Sequence, residues 1–182
     1  MSMKAVALVG MPGSGKSEVA RIFAQSGYQT IRFGDITDEE VRKRGLELNE
    51  ANERIAREEL RHTHGMAAYA ILNLPRINQA LEVANVIIDG LYSWEEYKYL
   101  SDKLEGGLRT VAVWAPPGLR YHRLVGRKVR PLTAEQARDR DFAEIENVNK
   151  GGPIAMADYT IKNDASLDAL AAQTISILRE LQ

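Results

Sequence analysis

Short apolar segments alternate with longer amphipathic segments along the chain. KAVALVG, at residues 4–10, is apolar without alternation, which is typical of a strand covered on both faces. Further short strands are predicted at YQTIRF, NVIIDG, RTVAVWAP and DYTIKN. Because helical segments separate these strands, the order predicts a parallel sheet with helices on both faces and right-handed crossovers.

Capping residues mark the starts of the predicted helices. A Ser or Thr followed three residues later by Glu or Gln can form a capping box at a helix start. Three such pairs stand at predicted helix starts, and a single Ser precedes the last helix: Thr37 with Glu40, Ser93 with Glu96, Thr133 with Gln136, and Ser166. The helix over SEVARIFAQSG is expected to end at Gly27, since glycine commonly terminates helices. The helix after Ser93 is expected to cover WEEYKYLSDKLEGG.

Three further helices are predicted from periodicity. Residues 49–64 form a polar pattern with Ile55 and Leu60 on one side. Residues 66–83 predict a helix that breaks or restarts at Pro75, because proline removes a helical hydrogen bond. Residues 117–128 predict a helix, and the basic segment RYHRLVGRKVR occupies residues 120–130.

One loop has the pattern of a phosphate-binding site. Gly10-Met11-Pro12-Gly13-Ser14-Gly15-Lys16-Ser17 fits G-x-x-x-x-G-K-[ST] between a predicted strand and a predicted helix. Glycines let backbone N–H groups turn inward, and the positive end of the following helix attracts anions. In this pattern the lysine reaches the β and γ phosphates, and the Ser17 hydroxyl binds Mg²⁺. The loop therefore predicts nucleotide binding.

Two other segments fit the same site. Asp89 ends VIID, where its carboxylate would support Mg²⁺ beside the loop; a simple turn with Gly90 is the alternative. Arg123 and Arg127 are four residues apart and would share one face of a helix. Two guanidinium groups on one face suit a phosphate clamp, and a solvated basic helix is the alternative.

The composition excludes several classes of function. A chain of 182 residues fits one domain, and its net charge of −1 argues against a general nucleic-acid binder. No apolar run approaches the roughly 18 residues that a membrane span needs, so we expect no membrane association. The chain contains no cysteine, which excludes disulfides and thiol nucleophiles and is compatible with the reducing cytoplasm, where we expect the protein.

Taken together, these motifs resemble the small P-loop kinases, namely the nucleoside monophosphate kinases and the dephospho-coenzyme A kinases. GMPGSGKSEVA is similar to the adenylate-kinase-type loop, IRFGD to the G-D element after strand two, and VIIDG to the third strand. HRLVGRKVR and ARDRDF resemble the lid, with Arg123, Arg127, Arg138 and Arg140 as its arginines. ADYTIKNDASLDAL is similar to the dephospho-coenzyme A kinase ending, whose turn borders the adenine.

The resemblance implies the three-layer P-loop NTPase fold, with a five-stranded parallel sheet of order 2-3-1-4-5 and a helical lid. One domain would span 1–182, with a core at 1–34, 85–119 and 154–182, acceptor-binding helices at about 35–84 and a lid at about 120–150. ATP and Mg²⁺ would be the cofactors, with Mg²⁺ on Ser17 and Asp89. The implied nucleotide-binding residues are Gly10, Gly13, Ser14, Gly15, Lys16, Ser17, Glu18, Arg123 and Asn163.

The chain departs from the monophosphate kinases where they hold the acceptor phosphate. Asp38 stands in place of an arginine after the G-D element, and the segment after Gly90 offers none. An aspartate would repel a monophosphate, whereas a hydroxyl acceptor needs a carboxylate to take or orient its proton. Asp35 corresponds to such a carboxylate in the dephospho-coenzyme A kinases; a turn residue is the alternative.

Two functions follow from these features. The first is an ATP-dependent phosphotransferase for a nucleotide-like small molecule, with Lys16, Asp35, Arg123 and Arg127 as catalytic residues. A hydroxyl acceptor is favoured over a monophosphate, which would need a replacement clamp from Arg32, Arg42, Arg44, Arg61 or Arg76. The second is an ATP-binding switch or regulatory ATPase whose lid reports the nucleotide state to a protein partner. Either would act as a monomer or a homodimer.

Overall fold

The computed structural model describes residues 3–104, 107–128 and 131–181 of the chain. Its strands are β1 (Ala5–Val9), β2 (Gln29–Arg32), β3 (Val86–Asp89), β4 (Leu108–Trp114) and β5 (Tyr159–Lys162). Its helices are α1 (Lys16–Gln25), α2 (Asp35–Lys43), α3 (Glu50–His64), α4 (Ala68–Leu81), α5 (Trp94–Lys103), α6 (Pro117–Val125), α7 (Ala134–Glu146), α8 (Gly151–Ala155) and α9 (Leu167–Leu181). Residues 105–106 of the predicted helix after Ser93 and residues 129–130 of the basic segment lie outside the described residues.

The strands form one parallel sheet of order β2-β3-β1-β4-β5, which confirms the predicted fold. β1 lies at the centre, where Leu8 is in register with Asp89 of β3 and Val111 of β4. All five residues of β1 are buried, which explains why KAVALVG shows no polar alternation. The carboxyl ends of parallel strands meet at one edge of the sheet, so the glycine-rich loop and Asp89 are neighbours.

Apolar cores cover both faces of the sheet. On one face, α1 and α9 pack on the strands through residues such as Phe23 and Leu178. On the other face, α4 and α5 pack through residues such as Tyr69, Ile77 and Leu100. The molecule therefore has the three layers that alternating strands and helices predicted. Within the described ranges, no helix has the length and apolar character needed to cross a membrane.

Most of the predicted helix starts are confirmed. The Ser93 hydroxyl accepts a hydrogen bond from the Glu96 backbone at 3.0 Å, and the Glu96 carboxylate accepts one from the Ser93 backbone at 3.2 Å. Thr133 and Gln136 form the same capping box at α7. Ser166 accepts a hydrogen bond at 3.2 Å from the backbone N–H three residues later. These starts depend on local contacts, so the sequence alone identifies them.

The capping box at Thr37 and Glu40 was a wrong prediction. α2 begins earlier, at Asp35, and Gly34 is its cap without a side-chain hydrogen bond. Thr37 therefore lies within the first turn, and its buried hydroxyl is 2.5 Å from the hydroxyl of Tyr69 on α4. A tertiary hydrogen bond has replaced the local one.

The predicted break at Pro75 was also wrong, because α4 runs through this residue. Proline inside a helix costs about 3 kcal/mol. Asn73 and Ile77, on either side of Pro75, are completely buried, so both halves of the helix are held by packing. Tertiary contacts therefore compensate for the lost hydrogen bond.

Three further details differ from prediction. In α3 the buried residues are Glu53 and Ala56, whereas Ile55 is 46% exposed, because the packed face follows Ala56 and the half-buried Leu60. α6 ends at Val125 rather than at residue 128, so Arg127 lies outside the helix. α8 was not predicted, because GGPIA contains few helix-forming residues.

Candidate functional site

The glycine-rich loop joins β1 to α1, and its shape depends on its glycines. Gly10, Gly13 and Gly15 have φ angles of 145°, 77° and 103°, a region that side chains rarely adopt. A Cβ atom at Gly13 would lie 2.8 Å from the carbonyl oxygen of Arg120, and one at Gly15 would lie 2.2 Å from Nδ2 of Asn163. The glycines thus provide both the curvature of the loop and the close contact with α6 and the turn after β5.

Lys16 begins α1 and reaches back over this loop. Its ammonium donates to the carbonyl oxygens of Gly10 at 2.8 Å and Met11 at 3.1 Å. Burial lowers the pKa of Lys16 to about 7; the positive charge of Lys150 acts in the same direction, and Glu144 acts against it. A phosphate in the loop would attract the charged form of Lys16. The side chain is therefore placed to bind an anion.

Two of the predicted nucleotide-binding residues meet against the loop. Asn163 donates from Nδ2 to the carbonyl oxygen of Ser14 at 2.7 Å. Arg123 donates to the carbonyl oxygens of Gly13 at 3.4 Å and Asn163 at 3.1 Å, and to Oδ1 of Asn163 at 3.3 Å. The Ser14 hydroxyl is buried and has no hydrogen-bond partner among the described residues, so it is available to a phosphate oxygen. These contacts fix the loop against the turn after β5.

Arg120 links the loop to α7, a role that sequence reasoning missed. Its guanidinium is buried and donates to the carbonyl oxygens of Pro12 and Ala115, both at 3.1 Å. It also binds both carboxylate oxygens of Asp141, at 2.9 and 2.6 Å, and the Tyr121 hydroxyl donates to the same carboxylate at 3.0 Å. No local pattern reveals this pair, because its members are 21 residues apart and on different helices.

Arg127 approaches the same region from the segment after α6. Partial desolvation lowers its pKa, and the positive charge of Arg140 lowers it further. The positive charge of Arg127 also contributes to lowering the pKa of Lys16, and because α6 ends at Val125, Arg127 shares no helix face with Arg123. Arg140 donates to the carboxylate of Glu144 at 3.2 Å.

Ser17 and Asp89 lie on elements that flank the loop. Ser17 is in the first turn of α1, and Asp89 is the last residue of β3. The Asp89 carboxylate acts on the charge of Lys16, which places it beside the loop. A hydroxyl and a carboxylate fit Mg²⁺, which prefers oxygen ligands and keeps several waters. No group of three His, Cys, Asp or Glu able to hold a metal occurs among the described residues.

Two predicted site residues lie apart from this cluster. The Glu18 carboxylate pairs with the exposed Arg21 at 3.1 Å. Asp35 pairs with Arg32 at 3.1 Å, and its negative charge also raises the pKa of Arg76. Asp35 faces a groove of about 530 Å³ between β2 and α4. The structure does not give either carboxylate an interaction with the described residues of the loop.

Buried polar groups between α3, α4 and α5 form a region that sequence reasoning missed. The Arg61 guanidinium lies 5.6 Å from the centroid of the Tyr69 ring, and its buried Nε has no hydrogen-bond partner among the described residues. Glu96 accepts from the backbone N–H groups of Tyr92 and Ser93 through Oε2, whereas its Oε1 has no partner in the described part of the chain. Burial raises the pKa of Glu96 to about 7. We call this region the α3–α5 polar cluster.

Sequence reasoning also missed the roles of Lys150 and Glu144, although both change the pKa of Lys16. Lys150 is almost completely buried, and its ammonium donates to the Glu144 carboxylate. The only sequence signal is a lysine in the segment NVNKGG, which contains no acidic residue. Four charged side chains thus shift the pKa of Lys16 beside the loop: Asp89, Arg127, Glu144 and Lys150.

Comparison with known proteins agrees with this geometry. A family model described as an AAA domain matches residues 6–144. A UPF0200 protein of Thermococcus kodakarensis is 36% identical over 180 residues, which cover 97% of each chain. Shikimate kinase from Bacteroides thetaiotaomicron has a TM-score of 0.64 at 17% identity and covers 98% of each chain. Dephospho-CoA kinase from Campylobacter jejuni has a TM-score of 0.57 at 16% identity, covering 100% of this chain and 99% of its own.

The structural likenesses show a P-loop kinase-like fold, and they fall below the identity at which activity or substrate can be transferred. The sequence matches are stronger, because they extend over nearly the full chain. Residues 6–144 therefore form an AAA domain, and the chain belongs to the family of UPF0200 proteins.

Proposed function

We propose that this protein is an ATP-dependent phosphotransferase that acts on a nucleotide-like small molecule. The observation that carries this proposal is the Lys16 ammonium, which donates to carbonyl oxygens of a glycine-rich loop already fixed by Arg123 and Asn163, with Asp89 at the end of the neighbouring strand. Phosphoryl transfer depends mainly on positioning and charge neutralisation, which such a cluster supplies. Support also comes from two matched structures of the same fold, which are named shikimate kinase and dephospho-CoA kinase.

Each residue of the cluster has a role in this proposal. The loop N–H groups and Lys16 would hold the β and γ phosphates of ATP. Ser17 would ligate Mg²⁺ and Asp89 would support it through water; when bound, the ion neutralises phosphate charge. Asn163 and Arg123 would border the nucleotide, and Arg127 would neutralise charge on the transferring group. Residues 120–150 would act as the lid of a single kinase-like domain.

The acceptor that best fits the structure carries a hydroxyl. Of the arginines that could clamp a monophosphate, Arg32, Arg44 and Arg76 are already paired with carboxylates, and Arg42 is exposed in the last turn of α2. Arg61 retains one unpaired N–H in the described part of the chain, which suits an acceptor with a single anionic group. Asp35 would orient the acceptor hydroxyl, which requires that it exchange Arg32 for the substrate.

The test is ADP release from Mg²⁺-ATP with and without a panel of acceptors, in the wild-type protein and in Lys16→Ala. The panel contains the common nucleoside monophosphates, dephospho-coenzyme A and several nucleosides. We expect one acceptor to stimulate release and Lys16→Ala to lose at least about 100-fold of the stimulated rate. Lys103→Ala is the matched control, because this exposed lysine on α5 pairs with the adjacent Asp102, lies over the Tyr99 ring and should keep full activity. Full activity of Lys16→Ala would exclude the proposed mechanism.

A second candidate function is an ATP-binding switch. The observation that favours it is the pair of ionic links from α7 to the rest of the site, Arg120 with Asp141 and Lys150 with Glu144. Through them, the nucleotide state would alter the position of α7. Slow ADP release that no acceptor stimulates would favour this function over the kinase.

A further inference from the structure

Lys150 and Glu144 form a buried ion pair where α7 approaches α8. Lys150 is 2% exposed, and its ammonium donates to Oε2 of Glu144, while Arg140 donates to Oε1 of the same residue at 3.2 Å. Lysine is almost never buried to this degree, because removing its charge from water costs several kcal/mol. One carboxylate thus serves two cations, and the three groups together carry an excess of positive charge.

The backbone around Lys150 is held in a specific conformation. Asn149 has a φ of 52°, in the left-handed region that costs free energy for residues other than glycine. A Cβ atom at Gly152 would lie 2.7 Å from the ring of Trp94, so α8 packs directly on α5. The buried position of Lys150 is therefore set by the main chain on both sides of it.

Lys150 lies at the carboxyl end of β3. Its Nζ is 5.2 Å from the centroid of the Tyr92 ring. The Tyr92 hydroxyl lies close to Gly90, the residue after Asp89. A Cβ atom built at Gly90 would be 2.7 Å from this hydroxyl oxygen. A Cβ atom at Gly34, next to the start of α2, would lie 3.8 Å from the same hydroxyl. Lys150 thus lies between the glycine-rich loop and the acceptor side.

The two ends of the loop are consequently different. Arg123 and Asn163 hold the backbone at Gly13 and Ser14. Lys150 lies on the other side, beside Tyr92 and the chain just after Asp89, and Asp89 is in register with Leu8 of β1 shortly before the loop. The Lys150 ammonium is therefore on the Asp89 side of the loop, where Lys16 and the terminal phosphate of a nucleotide would meet in the proposed function.

We propose that Lys150 is a phosphate-binding residue that exchanges Glu144 for the terminal phosphate of a bound nucleoside triphosphate. This inference rests on the proposed function and adds a cation that the loop motif does not contain. A terminal phosphate brings more negative charge than one carboxylate and is attracted by Lys16 and Lys150 together. Glu144 keeps Arg140 as its partner after the exchange, so no buried charge is left alone.

The experiment is calorimetric binding of Mg²⁺-ADP and of the non-hydrolysable ATP analogue adenylyl imidodiphosphate. Wild type, Lys150→Gln and Lys150→Arg are compared, together with Lys98→Gln as the matched control. Lys98 is also near an aromatic ring, since its Nζ lies 5.8 Å from the centroid of the Trp94 ring, but it is exposed on α5. In Lys150→Gln we expect the preference for the triphosphate analogue over ADP to fall at least about tenfold, with ADP affinity little changed. Lys150→Arg should restore part of the preference.

A second variant separates binding from folding. Lys150→Gln alone leaves Glu144 without its buried ammonium, whereas the double variant Glu144→Gln with Lys150→Gln keeps a neutral hydrogen bond of similar size. Loss of the triphosphate preference in a folded double variant supports the proposal, and an unchanged preference overturns it. If wild type binds neither nucleotide, the proposed function fails as well. If wild type binds both and the lysine variants match it, only the role of Lys150 is overturned.

Discussion

The two sides of the candidate site differ in how their buried polar groups are paired. On the loop side, Arg120, Arg123 and Asn163 donate hydrogen bonds to backbone carbonyls and fix the loop. In the α3–α5 polar cluster, Arg61 and Glu96 each keep a buried polar atom without a partner among the described residues. Such an atom costs about 1–3 kcal/mol, which a ligand or an ordered water can recover. The backbone of the loop is thus fixed before binding, although the buried Ser14 hydroxyl also lacks a partner among the described residues, whereas in the α3–α5 polar cluster a cation and a carboxyl group both retain unused hydrogen-bonding capacity.

This difference has a consequence for specificity. A loop that is fixed in advance binds phosphate with little loss of conformational freedom, and it suits any nucleoside triphosphate. A polar cluster with unpaired donors and acceptors discriminates strongly, since the wrong ligand leaves those groups unsatisfied. We therefore expect substitutions on the loop side to affect stability and nucleotide affinity, and substitutions in the cluster to affect pH dependence and acceptor choice.

The largest expected effect on stability is on the loop side, in Arg120→Leu. This change leaves Asp141 buried without its cation, and breaking a buried ion pair costs about 3–5 kcal/mol. Urea denaturation measures the loss. Arg21→Gln is the control, because its pair with Glu18 is exposed and should contribute less than about 1 kcal/mol. A similar small loss in both variants would show that α7 does not depend on the buried link.

The second prediction concerns the pH dependence of stability in Glu96→Gln, a substitution in the α3–α5 polar cluster. With a pKa of about 7 in the folded protein and an ordinary value of 4.5, Glu96 keeps a proton that the unfolded chain has lost between these pH values. Its contribution to the free energy of unfolding therefore falls as pH rises through this window and is lowest above about 7. The amide oxygen of glutamine can still accept from Tyr92 and Ser93.

The variant should accordingly lose this downward slope and gain up to about 3 kcal/mol at pH 8. Denaturation at pH 5, 6, 7 and 8 measures both quantities. Glu18→Gln, at an exposed position, serves as the control and should follow wild type at every pH. Parallel curves for Glu96→Gln and wild type would mean that Glu96 is already ionised at pH 5 in the folded protein.

Sequence reasoning identified the two sides with very different success. The loop, Asp89, and the caps at Ser93 and Thr133 depend on residues close together in the chain, so local patterns predicted them. The strand order followed from the resemblance to P-loop kinases. By contrast, the pair of Arg120 with Asp141 and the polar cluster arise where separate helices pack, and no spacing rule encodes these contacts.

The errors have the same origin. Thr37 looked like a helix cap, yet its hydroxyl bonds to Tyr69 of the α3–α5 polar cluster. Pro75 looked like a break, yet packing on both sides preserves α4. Local propensities amount to about 1–3 kcal/mol and are readily outweighed when a residue is buried. The α3–α5 polar cluster is made mostly of such contacts, which is why the local sequence carried little information about it.

A third prediction concerns the Thr37 hydrogen bond itself. Thr37→Val removes the hydroxyl that lies 2.5 Å from the Tyr69 hydroxyl and leaves that group buried without a partner. The expected loss is about 2 kcal/mol of unfolding free energy, measured by urea denaturation. Nucleotide affinity should stay unchanged, because Thr37 belongs to the acceptor side. A clear loss of ADP affinity in this variant would show that the two sides are energetically coupled.

The smallest effect tests whether the rigidity of the loop contributes to binding. Asn163→Ala removes the 2.7 Å hydrogen bond to the Ser14 carbonyl and one acceptor of Arg123. The loop should become more mobile, and Mg²⁺-ADP affinity measured by calorimetry should fall roughly fivefold, since one hydrogen bond contributes about 1 kcal/mol.

The matched control is Gln173→Ala, because Gln173 exchanges two 3.0 Å hydrogen bonds with the backbone of Lys162 and does not bind the loop. Both changes loosen the same end of β5, and only Asn163→Ala releases the loop. If the two variants weaken ADP binding equally, the stability of β5 is what matters for affinity. If only Asn163→Ala does so, the fixed loop contributes to affinity directly, and the contrast with the unpaired acceptor side is one of function as well as structure.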